Sequence, residues 1–147
     1  MSVRIANAHD IDVLVAMRNA LWPDEESSHR SELNKHFTGE HSHIDQVLLY
    51  ETPRGEPAGF VELRVRNYAE GSEEHEVPFV EGWYVASEQR RQGVGRALIA
   101  ASEEWARARG FDELASNALL ENTGSLAAHE AVGFEEMERT VNYLKDL

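Results

Sequence analysis

Gln89-Arg90-Arg91-Gln92-Gly93-Val94-Gly95-Arg96-Ala97-Leu98 is the stretch on which the fold turns. Before it lies the apolar run Phe79 to Val85, broken by Glu81 and Gly82, which reads as a strand. After it, Leu98, Ile99, Ala101, Trp105 and Ala108 fall on or near one side of a helix over Val94 to Arg109, and Gly110 supplies the stop. The stretch is thus a glycine-rich turn from strand into helix. Its physics is anion binding: a helix start presents unpaired N–H groups and a partial positive charge, and glycines let the backbone approach a phosphate without Cβ collisions. Arg91 and Arg96 add cationic side chains to an otherwise acidic protein.

Upstream, Val3 to Ala6 reads as a short strand. Asp10 can cap a helix carrying Ile11, Leu14, Val15, Met17 and Leu21, which Pro23 ends. Ser27 or Ser28 can start a second helix to about Phe37, and Thr38 to His43 reads as loop. Val47 to Glu51 and Ala58 to Arg66 are strand-like and joined by hairpin punctuation. In the second, Phe60, Val61, Leu63 and Val65 alternate with Glu62, Arg64 and Arg66, which predicts one wet face. Asn67 to Glu76 is an acidic loop.

Downstream, Phe111 to Ser116 reads as a strand. Asn122 or Thr123 caps a helix to Val132, and Gly133-Phe134 leads into a last strand, Met137 to Leu144. The order βααβββαβαβ, with no repeat or linker, predicts one mixed α/β domain over residues 1–147. The two late strand–helix–strand passages point to locally parallel pairing.

Lys+Arg total 14 against 27 Asp+Glu, a formal charge of −13, which disfavours nucleic acid and anionic membranes as partners and favours cations. With no Cys there is no thiol nucleophile, disulfide or Cys-ligated zinc. His36, His41 and His43 match no H-E-x-x-H spacing, so no metal is expected. The start lacks the apolar run of a leader and no long apolar span occurs, so a cytoplasmic protein is expected. Other phosphate loops fit poorly. No G-x-x-x-x-G-K-[ST] is present, and a dinucleotide fingerprint needs a third glycine where Leu98 stands.

The spacing Arg90-x-x-Gly93-x-Gly95 in this context resembles the acetyl-CoA pyrophosphate loop of the GCN5-related N-acetyltransferase (GNAT) superfamily. Asn122 and the later Gly133-Phe134 extend that resemblance over nearly the whole chain. Arg18-Asn19-Ala20-Leu21-Trp22, Val80-Glu81-Gly82-Trp83-Tyr84-Val85, Ala115-Ser116-Asn117, Glu121-Asn122-Thr123 and Gly133 to Arg139 resemble in particular the small, dimeric aminoglycoside 6'-N-acetyltransferases. The resemblance implies a GNAT fold with splayed central strands and helices on both faces. It implies acetyl-CoA as co-substrate, bound through Trp83, Tyr84, Val85, Arg91, Gln92, Gly93, Val94, Gly95, Arg96 and Asn122. It further implies a homodimer that confers antibiotic resistance, and a cationic aminoglycoside contacted by Trp22, Tyr68, Glu81, Asn117 and Glu138.

Carboxylates and aromatic faces are the groups that hold a polycationic sugar. From the residues alone, Trp22 reads equally as a core aromatic, Tyr68 as a loop residue and Glu138 as a solvated strand residue. Glu81 stands apart, because a carboxylate inside an apolar strand is costly unless paired or facing a cleft. It is the expected catalytic residue, taking a proton from the substrate ammonium directly or through water. Backbone N–H groups near Tyr84 or Val85 would steady the oxyanion. Asn117 replaces the Asp usual in the resembling enzymes, which removes a charge-assisted contact of about 1–3 kcal/mol. His129 stands where many superfamily members carry a tyrosine acid, and the acid stays unassigned. Other expected outcomes are acetylation of another polyamine or a peptide amine, or a non-catalytic acyl-CoA-binding module.

Overall fold

The computed structural model describes residues 3–23 and 26–147, with the side chain of Glu26 excepted. Its elements are β1 (Val3–Ile5), α1 (Ile11–Leu21), α2 (Glu26–Thr38), β2 (Gln46–Glu51), β3 (Pro57–Arg66), β4 (Val77–Val85), α3 (Val94–Ala108), β5 (Ala115–Ser116) and α4 (Thr123–Ala131). The five strands form one sheet in sequence order. Neighbours are antiparallel except β4 and β5, which run parallel.

Both faces of the sheet are covered, which explains the long buried run in β3. On one face Leu14 and Met17 of α1 and Leu33 of α2 pack with Val47, Leu49 and Phe60. On the other, Val94, Leu98 and Ile99 of α3 pack on Leu48, Val61, Leu63 and Val80. The alternation in β3 therefore separates two buried faces rather than a dry one from a wet one, and Glu62 is buried.

Helix α3 ends as its sequence dictates. The N–H groups of Gly110 and Phe111 return to the carbonyls of Arg107 and Ala106, with Gly110 left-handed. Helix α4 repeats the device with Gly133 and Phe134 on Glu130 and His129. Asn122 caps the start of α4 by accepting from the Ser125 N–H. Asp10 also stands at the N-cap of α1, but makes no cap hydrogen bond there. Its carboxylate instead receives Arg4 and the Asn7 N–H.

Two expectations need correction. The strand expected over Phe111 to Ser116 shrinks to Ala115–Ser116, paired only with Phe79 and Val80. The expected last strand, Met137 to Leu144, joins no ladder among the described residues, and residues 134–147 have no regular structure. A strand exists only with a neighbour to pair with, and no described strand of this chain pairs with residues 137–144. Their apolar side chains consequently stand exposed, Val141 at 75% and Tyr143 at 90%.

Candidate active site

Glu81 occupies a break in the β3–β4 ladder. Glu62 pairs with Gly82 and Leu63 with Val80, so Glu81 is the extra residue of a β-bulge. Bulges re-aim a side chain without ending the strand. Both carboxylate oxygens of Glu81 accept from Arg66, Oε2 from Nε at 2.6 Å and Oε1 from Nη2 at 2.8 Å. Arg66 lies 3.7 Å over the Phe79 ring, and its pairing with Glu81 favours its charged form further.

Beside Glu81, the Trp22 ring lies so close to Gly82 that a Cβ there would come within 2.5 Å of it. Glycine is required at this point to admit the ring. The Arg18 guanidinium lies 5.2 Å from the centre of the same ring. Arg18 donates to Glu32 of α2 at 2.5 Å and approaches Glu62 of β3 at 3.3 Å. Together Arg18, Trp22, Glu32, His43, Ile44, Glu62 and Glu81 line a cavity of about 280 Å³. Three carboxylates and one arginine make it an acidic pocket with an aromatic wall. Burial pushes the Glu62 carboxyl up to about 7, against the pull of Arg18 and with the repulsion of Glu32 and Glu81 added.

The other half of the site is backbone. Because β5 pairs with β4 only at Phe79 and Val80, β4 beyond Glu81 has no sheet partner on that side. Ala86 donates to the carbonyl of Ala58. In an antiparallel ladder this directs the amide of Tyr84 toward β3 and those of Trp83 and Val85 toward the open edge. The register thus favours Val85 over Tyr84 as an oxyanion donor. The strand then runs through a 3-10 turn, Ser87–Gln89, into the loop. Arg91 (φ 64°) and Gly93 (φ 82°) are both left-handed, and α3 starts with no side-chain cap. Successive amides in such a turn, followed by an uncapped helix start, form an anion-binding concavity. The arginine side chains lie elsewhere: Arg90 donates to the Val85 carbonyl and Arg96 to the Ala131 carbonyl. Arg91 is exposed beside the loop.

The residues expected from the sequence are placed unevenly. Trp22 and Glu81 share the cavity. Tyr68, Asn117 and Glu138 are exposed outside its lining, with Glu138 in the unpaired tail. His129 is a tie between elements. Its Nε2 lies 2.8 Å from Ser116 Oγ and its Nδ1 2.7 Å from the Ser125 carbonyl, a pairing that makes Nδ1 the donor. Its ring meets Trp83 edge-on at 5.2 Å. The sequence reading missed Arg18, Glu32, Glu62 and Arg66. Glu62 carried the signal that singled out Glu81, a carboxylate inside an apolar strand.

The Acetyltransferase (GNAT) family profile matches residues 13–134. The chain belongs to that family. Among its relatives, the aminoglycoside N(6')-acetyltransferase type 1 of Klebsiella aerogenes is 42% identical over 99% of this chain and 96% of its own length. That of Stenotrophomonas maltophilia is 39% identical over 97% and 91%. The apo crystal structure of an aminoglycoside antibiotic 6'-N-acetyltransferase from Acinetobacter haemolyticus superposes with a TM-score of 0.89 at 32% identity, covering 100% of this chain and 99% of that one. AAC(6')-Iy bound to the bisubstrate analogue CoA-S-monomethyl-acetylneamine gives 0.88 at 31%, covering 99% and 97%. In this acetyltransferase the sheet opens after Val80, along the part of β4 that leads into the loop before α3.

Proposed function

We propose that this acetyltransferase carries the acetyl group of acetyl-CoA to the 6'-amine of an aminoglycoside, by direct attack within a ternary complex, and so confers antibiotic resistance. One observation carries the reading: an acidic, aromatic-walled cavity opens at the bulge of β4, directly before the strand's open edge and the anion-binding loop. Acetyl-CoA supplies an activated carbonyl. The uncapped start of α3 and the amides around Arg91 and Gly93 fit a diphosphate, and Arg91 adds charge beside it. The open-edge amides of Trp83 and Val85 fit an amide-bearing arm and the charge that develops on a carbonyl oxygen. Gln92, Val94, Gly95 and Arg96 complete the backbone of the loop, and Asn122, at the start of α4, adds a side-chain contact.

On the acceptor side, Glu81 receives the reacting ammonium and Trp22 stacks against the sugar. The activity for which the relatives are named and the match of charge and aromatic wall support this. Tyr68, Asn117 and Glu138 reach the substrate as an outer rim. We place the enzyme in the cytoplasm, where acetyl-CoA is made. We also assign it a homodimer, because residues 134–147 leave Met137, Val141, Tyr143 and Leu144 exposed, a surface that a second copy covers.

A thiol-release assay with acetyl-CoA and a panel of aminoglycosides, polyamines and peptides tests the reading. Turnover confined to amino sugars bearing a 6'-amine is expected. Turnover of polyamines or peptides alone changes the substrate class, and the absence of thiol release with every amine leaves an acyl-CoA-binding module. Light scattering giving a monomer mass overturns the dimer.

A further inference from the structure

The acceptor cavity holds three carboxyls, and the structure does not treat them alike. Glu32 is tied to Arg18, and Glu81 has both oxygens on Arg66. Glu62 is the exception. Its side chain is 4% exposed, and its Oε1 accepts no hydrogen bond from any described residue although Arg18 Nη1 stands 3.3 Å away. That Nη1 likewise lacks an acceptor in hydrogen-bond geometry. A carboxyl whose buried oxygen lacks a hydrogen bond is expensive to keep charged, and Glu62 is the one of the three cavity-lining carboxyls that no arginine clamps, which leaves it to take a donor from a molecule entering the cavity.

We propose that Glu62, not Glu81, is the carboxylate that takes the proton from the acceptor's ammonium, while Glu81 clamped by Arg66 fixes that ammonium in place. The inference rests on the reading of the cavity as an amine site. The step balances. The substrate R–NH3+ passes one proton to Glu62 and becomes R–NH2, and its lone pair forms the C–N bond as the C–S bond breaks. The second nitrogen proton leaves with the thiolate as thiol, and Glu62 returns its proton to water on product release. The groups facing Glu62 are Arg18 from α1, Glu32 from α2, Glu81 with its partner Arg66 from β4 and β3, and His43 from the loop before β2. Burial has already raised this carboxyl to about 7, which suits a group that must accept and release a proton near neutrality.

The test is steady-state kinetics of Glu62→Gln and Glu62→Asp with acetyl-CoA and neamine between pH 5.5 and 9, with folding checked by circular dichroism. For Glu62→Gln, kcat is expected to fall at least 30-fold with the neamine KM changed less than threefold. The acid limb of the wild-type pH profile near 7 should also be lost. Glu62→Asp should restore part of kcat and keep a limb. A kcat within twofold of wild type, an unchanged acid limb, or a loss confined to KM overturns the proposal. If Glu62→Gln does not fold, Glu62→Asp decides alone, because withdrawing the carboxyl by one methylene should cost at least fivefold in kcat and no loss overturns the role. A wild type that acetylates no amine fails the reading of the cavity itself, which is a different result from any of these.

Discussion

The two halves of the site are built from different materials. The loop before α3 works through backbone: left-handed Arg91 and Gly93, an uncapped helix start, and side chains turned onto neighbouring carbonyls. The acceptor cavity works through side chains: Arg18, Glu32, Glu62, Arg66 and Glu81, set in ion pairs on four elements. A backbone site recognises what many substrates share, a diphosphate, and tolerates side-chain change. A site of paired charges recognises one distribution of cations and is altered by a single neutralisation.

That contrast can be broken by crossing the two effects. Glu81→Gln should lower kcat/KM for the acceptor about 10- to 100-fold, the value of one charged hydrogen bond, and leave the KM for acetyl-CoA within twofold. Parallel losses in both would mean the halves are not separate. Gly93→Val should do the reverse. Nothing lies within 4 Å of a Cβ there, so the penalty is the left-handed φ of 82° alone, about 1–2 kcal/mol. The KM for acetyl-CoA should rise about tenfold, with the acceptor KM unmoved, as titration of each substrate will show.

The smallest effect calibrates stability away from both halves. Asp10 sits below the ordinary aspartate range because of Arg4, with the Asn7 N–H contributing. A depressed carboxyl stabilises the fold above its ordinary value of about 3.9 and loses that contribution as pH falls through the lower, native value. Asp10→Asn should therefore melt about 3–5 °C lower at pH 7, with the gap to wild type closing below about pH 4 in a thermal scan.

The sequence made the loop legible because its determinants are local: two glycines, a preceding apolar strand and a following amphipathic helix lie within thirty or so residues. The ion pairs were not legible. Arg18 and Glu62 stand 44 positions apart, and nothing in either neighbourhood names the other. Alternation in β3 predicts one dry and one wet face, whereas both are covered, since periodicity separates two faces without saying what covers each. Glu81 was found because its apolar flanks made the carboxylate anomalous, but its clamp by Arg66 depends on register. The tail fails for a related reason. Residues 137–144 have strand-like composition, but composition supplies no pairing partner.

The bulge at Glu81 also sets the phase of β4. Ahead of it the even-numbered Val80 packs beneath α3, whereas after it the odd-numbered Trp83 and Val85 do, and Tyr84 joins the opposite layer. The strand is two half-strands of inverted parity, spliced by one residue. Deleting codon 81 would therefore erase the carboxylate and little else: Val80 and Gly82 would follow in regular alternation opposite Leu63 and Glu62, and Trp83 and Val85 would stay beneath α3 with Tyr84 in the opposite layer. The extra residue is thus an insertion that the core tolerates, and it puts a carboxylate on the strand without moving the layers on either side.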